Sequence, residues 1–390
     1  MGVWSWSAAR RALVCGLLAL SLAGCVTVPR VAFTEAERVG ASPPGFAGVR
    51  YDENAPALIE GLRRDVRPGV DRTINVLALS GGGANGAYGA GVIYGWRRSG
   101  DRPQLQIVTG VSIGALIAPF AYLGSAWDER LKAAFADPLA SGLLKSRGVM
   151  AVGTPGFFSK ASLTALVDTY VDDAMVRAIA AEQARGRRLL VATTDLDSER
   201  LIVWDMGAIA ARGGPAARKL FSEVLVASAS LPGMFAPSMI EVESGGHRFA
   251  EMHVDGQTVS AFFAIPQTLL LTGDPVTARG RVRMFILING NLDSRFELTR
   301  NSSIPIVVRA LDASQKASIR SALIATASFC RRNGLPLRIS QLPELAEDDP
   351  LDFHKARLRS LFDEGAAAAA AGTAWQSPEQ LPAILGLGEP

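Results

Sequence analysis

The chain has 390 residues, 48% hydrophobic and 20% charged, with 40 Lys and Arg against 37 Asp and Glu. So even a charge balance argues against nucleic acid as a partner and against a polybasic grip on a membrane surface. The apolar fraction is ample for a sizeable core, and the three cysteines, Cys15, Cys25 and Cys330, leave no room for a disulfide framework or a cysteine-held metal site.

The chain begins with Arg10-Arg11, an apolar run from Ala12 to Leu22, and then Ala23-Gly24-Cys25. A basic start, a short apolar stretch and a small-residue cleavage site describe a secretory signal over residues 1–24; a membrane span would need about 20 apolar residues. Leu22-Ala23-Gly24-Cys25 resembles the lipobox of bacterial lipoproteins. The resemblance implies that Cys25 is acylated and becomes the first mature residue, and Val26 after it resembles the outer-membrane pattern. The expected location is therefore the cell envelope, lipid-anchored, on the periplasmic side of the outer membrane in a Gram-negative cell. Removal of Arg10 and Arg11 leaves 38 basic against 37 acidic side chains. Residues 25–71, rich in Pro, Gly, Arg and Glu without a sustained period, read as a tether and lead-in.

From Ile74 the pattern changes. Ile74–Leu79 is a short, almost wholly apolar run, the mark of a strand buried on both faces. Ser80-Gly81-Gly82-Gly83-Ala84-Asn85-Gly86 follows, and Ala87–Arg97 reads as a helix. A second unit repeats the plan, with a strand at 105–109, the turn Gly110-Val111-Ser112-Ile113-Gly114, and an apolar helix over Ala115–Tyr122. Two strand–loop–helix units with glycine-rich turns at the strand ends argue a parallel sheet covered by helices, with the active site at those ends. The second turn has the G-x-S-x-G form. A nucleophile at the tip of a tight strand-to-helix turn needs small neighbours, here Gly110 and Gly114, and the helix points its N-terminal N–H groups back at Ser112. Gly81-x-Gly83-x-x-Gly86 also matches a dinucleotide-binding fingerprint. The acid that would bind a ribose at the end of the second strand is missing, since Thr109-Gly110-Val111-Ser112 stands there and Asp101 precedes the strand.

Further on, Leu189–Thr194 and Leu201–Trp204 read as strands joined in a hairpin by the polar turn Asp195–Arg200. Asp195 and Asp197 there lack a third metal ligand and read as a solvated turn. Phe221–Ser230 reads as a helix stopped by Leu231-Pro232-Gly233, residues 248–254 as a strand ending in Asp255-Gly256, and Arg283–Ile288 as a late strand. Helices are expected at about 306–332 and 351–364, and a loosely ordered, alanine-rich tail from Gly365.

Four blocks in this order, Gly81-Gly82-Gly83-x-x-Gly86, Gly110-x-Ser112-x-Gly114, Ala227-Ser228-Ala229-Ser230-Leu231-Pro232-Gly233 and Asp255-Gly256, resemble the patatin-like phospholipases over roughly residues 72 to 290. The resemblance implies a three-layer αβα sandwich around a mainly parallel sheet, with a hydrolase domain over 72–340 and a C-terminal helix and tail over 341–390. It implies Ser112 as nucleophile, Asp255 as its base, and an oxyanion hole from the N–H groups around Gly81, Gly82 and Gly83. The implied activity is cleavage of carboxylic esters of phospholipids or related acyl lipids, on a membrane that is both substrate and anchor surface. No metal or organic cofactor is expected. Two positions depart from the family pattern: Asn85 stands where the family usually has Arg or Lys, and Gln257 where it usually has Gly or Ala.

Three histidines compete with Asp255 for the role of base, since the usual triad uses one. His354 lies at helical spacing with Leu358, Leu361 and Phe362, as on a packed helix face. His247 suits the tip of a hairpin at Gly245-Gly246. His253 is the serious rival, two residues before Asp255 and on the same strand face. Two further readings stand beside the dyad: a serine–histidine esterase of the α/β-hydrolase kind, and a lipoprotein that keeps the fold as a lipid-binding or scaffold module, which Asn85 favours.

Overall fold

The computed structural model describes residues 30–136, 159–272, 281–290, 292, 296, 298–343 and 352–385. The expected signal segment 1–24 and the expected lipidation site Cys25 lie outside the described residues. No helix among those described is long and apolar enough to cross a membrane.

Among the described residues, nine strands form one sheet: β1 (Arg50–Asp52), β2 (Thr73–Leu79), β3 (Ile107–Val111), β4 (Arg188–Asp195), β5 (Arg200–Asp205), β6 (Ser238–Ser244), β7 (His247–Asp255), β8 (Arg281–Ile288) and β9 (Leu337–Gln341). The main order is β1-β5-β4-β3-β2-β8-β9. Pairing is parallel from β4 across to β9, whereas β5 and β7 run antiparallel to β4. The helices are α1 (Glu35–Val39), α2 (Pro56–Asp65), α3 (Gly86–Ser99), α4 (Ile113–Leu123), α5 (Asp128–Phe135), α6 (Lys160–Tyr170), α7 (Asp173–Ala184), α8 (Met206–Arg212), α9 (Gly214–Ser228), α10 (Gln267–Thr272), α11 (Ser303–Arg332), α12 (Lys355–Ala370) and α13 (Leu381–Ile384).

Strand alternation sends successive side chains to two cores. Leu77, Leu79, Phe285 and Leu287 face the layer that holds α3, α4, α9 and α12, while Ile74, Val76, Ala78 and Ile286 face the layer that holds α2 and α11. The architecture is thus a mixed, mostly parallel sheet between two helical layers, as the βα repetition implied.

Three expectations need correction. The strand before Ser112 lies two residues later than 105–109, because Gly110 and Val111 still pair with Leu79, Val191 and Ala192. The described part of the lead-in, residues 30–71, is no free tether: β1 pairs with β5, and Leu58, Ile59 and Leu62 of α2 are buried in the core. The described part of the tail, residues 365–385, is not loosely ordered either. The helix runs to Ala370, Trp375 packs on Trp96 at 4.5 Å between ring centroids, and Gln376 exchanges backbone hydrogen bonds with Ile339.

Candidate active site

One edge of β4 is shared by two strands. Along Arg188–Ala192 it pairs with β3, and from Thr193 to Asp195 it pairs with β7, whose direction is opposite. The other edge is covered by β5. The two strands therefore approach each other head-on, and the residue after the end of β3, Ser112, meets the last residue of β7, Asp255. Ser112 Oγ donates to Asp255 Oδ2 at 2.5 Å, with both residues buried. Asp255 ends its strand as its sequence implies, but that strand runs opposite to β3.

Ser112 sits at φ 57°, ψ −129°, a conformation that side-chain-bearing residues adopt at a cost. Its N–H donates to Ser228 Oγ at 3.1 Å, and that hydroxyl donates to Ala192 O at 2.7 Å. Ser228 belongs to the Ala227–Gly233 block, so the block's contribution is to pin the turn. Gly114 is required by space: a Cβ there would lie 2.5 Å from Leu79 O. At Gly110 it would lie 2.6 Å from Ala115 Cα. Helix α4 begins at Ile113, so its positive end faces the Ser112 region.

The glycine loop closes over the same place. A Cβ on Gly81 would come within 2.9 Å of Ser112 Cβ, and one on Gly82 within 2.3 Å of Asn289 O. Gly83 has φ 57°. Gly82 and Gly83 line the same cavity as Ser112, so their backbone is at hand for a group bound there. Asn289, just after β8, holds the loop's start: its N–H donates to Ser80 Oγ at 2.9 Å and its side-chain amide to Ser80 O at 2.6 Å. Nothing in the local sequence marks Asn289 or Ser228 for these roles, because both act across long sequence separations.

Asp255 is fully buried, and burial pushes its carboxyl up to about 7 against the opposing hydrogen bonds from Ser112 and from the Gln257 N–H, the latter at 2.8 Å. Gly256 is hemmed in, its Cβ position 2.5 Å from Ala192 O. The Gln257 side chain folds across Gly81, where a Cβ would meet its Oε1 at 1.9 Å.

No histidine touches Ser112. His253 is buried with both ring nitrogens engaged, Nδ1 3.0 Å from Thr193 Oγ1 and Nε2 3.1 Å from Glu251 Oε2. Glu251 in turn holds Arg50 at 2.6 Å. His247 lies at its hairpin turn, 2.8 Å from Glu37. His354 is not on a packed face as its spacing implied; it is exposed just before α12 and bonds Asp352. The Asp195–Arg200 turn is less solvated than expected, since Asp195 is buried and accepts from Ser198 at 2.6 Å, and Asp197 pairs with Arg30. Among the described residues no group of His, Cys, Asp and Glu is arranged to hold a metal ion.

Ser112, Asp255, Gly82 and Gly83 open into a cavity whose walls include Leu163, Leu166, Phe235 and Phe353, with Asp312 and Lys316 of α11 at a polar end. A second, almost wholly apolar recess continues from Gly83, Ile113 and Leu116 towards Phe120, Val167 and Met175. A larger groove between Trp96, Trp375 and Arg283 contains neither Ser112 nor Asp255. The arrangement therefore sets a serine hydroxyl on a buried carboxylate at the edge of an apolar slot.

Residues 77–266 match the family model described as Patatin-like phospholipase. No curated protein matches the chain. Among solved structures, VipD from Legionella pneumophila is 12% identical, with 91% of this chain and 73% of that chain covered and a TM-score of 0.40. The type III effector protein ExoU is 11% identical, with 82% and 60% covered and a TM-score of 0.27. Full-length ExoU in complex with SpcU, from the type III secretion system of Pseudomonas aeruginosa, is 13% identical, with 89% and 61% covered and a TM-score of 0.28. The chain thus spans about three fifths of the length of the ExoU chains.

Proposed function

With residues 77–266 a patatin-like phospholipase domain, we propose that the protein is a serine acyl hydrolase that cleaves carboxylic esters of phospholipids or related acyl lipids with Ser112 and Asp255. The observation that carries this reading is the 2.5 Å hydrogen bond from Ser112 Oγ to a fully buried carboxylate. An ordinary Asp is a poor base near neutral pH, because its usual value lies near 3.8; burial brings Asp255 to about 7, where it both ionises and holds a proton.

In this reading Asp255 Oδ2 takes the hydroxyl proton as Ser112 Oγ attacks the ester carbonyl. The charge that develops on the carbonyl oxygen is received by the N–H groups of Gly82 and Gly83, supported by the positive end of α4. Collapse of the tetrahedral adduct returns the proton from Asp255 to the departing alkoxide and leaves an acyl-serine. Water, deprotonated by the same carboxylate, then releases the fatty acid. The apolar recess beside Gly83 accommodates the acyl chain, and no step calls for a metal or cofactor. Acylation of Cys25 would hold the protein at the membrane that supplies its substrate, on the periplasmic side of the outer membrane in a Gram-negative cell.

A fluorophosphonate probe tests the reading: wild-type protein should be labelled on Ser112 and the Ser112→Ala variant should not. A folded wild type that takes no label and hydrolyses no ester would instead support a scaffold or lipid-binding module.

A further inference from the structure

The glycine loop ends at a residue whose partner lies far outside the matched domain. Asn85 is buried in the cavity wall beside Gly82 and Gly83. Its N–H donates to Gly82 O at 3.2 Å and closes the turn. Its side-chain Oδ1 accepts from Arg357 Nη2 at 2.8 Å, across 272 positions of sequence. A guanidinium only donates, so it fixes the amide with its oxygen towards α12.

Arg357 is itself held in place. It stands in the first turn of α12, mostly buried, where it donates to Asp352 O at 3.3 Å and lies 4.0 Å from the Asp352 carboxylate. Helix α12 lies against α3 with backbone touching backbone. A Cβ at Gly91 would lie 2.0 Å from Phe362 O, one at Gly95 2.2 Å from Ala366 O, and one at Gly365 2.2 Å from Tyr88 O. Contacts this close set α12 firmly against α3, and that packing positions Arg357 at Asn85. Both helices begin near this corner, so their positive ends and the Arg357 guanidinium lie on the same side of the loop, with the Asp352 carboxylate behind the guanidinium. A cation one hydrogen bond behind the loop favours negative charge on the loop's far side, and partial burial limits its screening by water.

We infer that Arg357 is a positioning residue for ester hydrolysis: through Asn85 it holds the Gly82–Gly83 turn in shape and sets a positive charge behind it, which makes α12 part of the active site. This rests on the hydrolase reading above. It also bears on the departure at Asn85, because the charge absent from position 85 is brought there by another helix.

The test compares Arg357→Met, Arg357→Lys and Asn85→Ala with wild type on a short-chain ester, with folding followed by thermal denaturation. Lys355→Gln, an exposed change in the same turn of α12, serves as control. Arg357→Met should lower kcat by about 10- to 100-fold with little change in KM, since loss of a direct donor costs about 10²–10³. Arg357→Lys should recover part of the loss. Affinity for an alkyl trifluoromethyl ketone, whose adduct with Ser112 bears an oxyanion, should fall in parallel with kcat/KM. A purely structural role would lower the melting temperature and leave these ratios alone. If Arg357→Met does not fold, Asn85→Ala should still show the kcat loss. Full kcat and full ketone affinity in either folded variant overturns the inference, while a wild type without any esterase activity overturns the hydrolase reading with it.

Discussion

Asp255 pairs with Thr193 and Val111 with Ala192, so the strands that lead to Asp255 and Ser112 end at consecutive residues of a single β4 edge. That register places the carboxylate against the serine, and under the proposed mechanism the ionisation of Asp255 would switch activity. Only the ionised form accepts the serine proton. With the carboxyl pushed up to about 7, kcat/KM should rise with pH to a plateau through an apparent value near 7. Initial rates on a short-chain ester from pH 5 to 9 check this; a flat profile over that range contradicts it.

Stability should move the other way. Unfolded, Asp255 ionises near its ordinary 3.8; folded, it keeps its proton up to about 7. A folded-state value raised above the unfolded one contributes stability that is fully present below about pH 4 and lost as pH rises to about 7. Asp255→Asn cannot ionise and escapes that loss. Its melting temperature relative to wild type should therefore increase by a few degrees between pH 4 and pH 8.

Backbone strain at Ser112 gives a separate test. Ser112→Ala and Ser112→Gly both remove the hydroxyl, but only glycine adopts φ 57°, ψ −129° without cost. Ser112→Gly should be the more stable of the two inactive variants by about 1 kcal/mol, from strain of about 1–3 kcal/mol less the extra chain entropy of glycine. Equal denaturation midpoints would place no strain at the turn.

The glycine loop should tolerate little. Gly83 has φ 57°, so a β-branched residue there would shift the backbone N–H groups proposed to receive the oxyanion. Gly83→Val should lower turnover by about 10²–10³, the typical cost of one such donor. A folded Gly83→Val with full esterase activity contradicts the role given to the loop.

Much of the fold was legible because its signals are local. Ile74–Leu79 and Arg283–Ile288 announce buried strands by apolar runs, and the Gly81–Gly86 and Gly110–Gly114 turns announce themselves by glycine where space or φ requires it. What was not legible depends on distance. The head-on approach of β7 needed the pairing of β6 with β7, and β6 buries only alternate side chains. The contact of Arg357 with Asn85 spans 272 positions. The alanine-rich end looked loose because small side chains carry little hydrophobic signal, yet Ala366 packs on Gly91 and Gly95, and Gly365 on the backbone of Tyr88 and Val92. Burial of Leu358, Leu361 and Phe362 on that helix contributes about 1.5–3 kcal/mol each. A chain ended at residue 350 should accordingly fail to give a cooperative thermal transition.

In the proposed reading, acylation of Cys25 attaches the protein to the membrane. Wild-type protein should sediment with membranes after signal removal, and Cys25→Ser should stay unlipidated. A soluble wild type without acyl groups on Cys25 contradicts the anchor.

The most direct measurement is hydrolysis of a short-chain ester by Asp255→Asn beside His253→Gln, each confirmed folded. Asparagine keeps the shape of aspartate but cannot take the serine's proton. His253 already spends both ring nitrogens on Thr193 and Glu251. Asp255→Asn should lose activity and His253→Gln should keep a substantial share of it. An active Asp255→Asn with an inactive His253→Gln would replace the dyad with a histidine-based hydrolase.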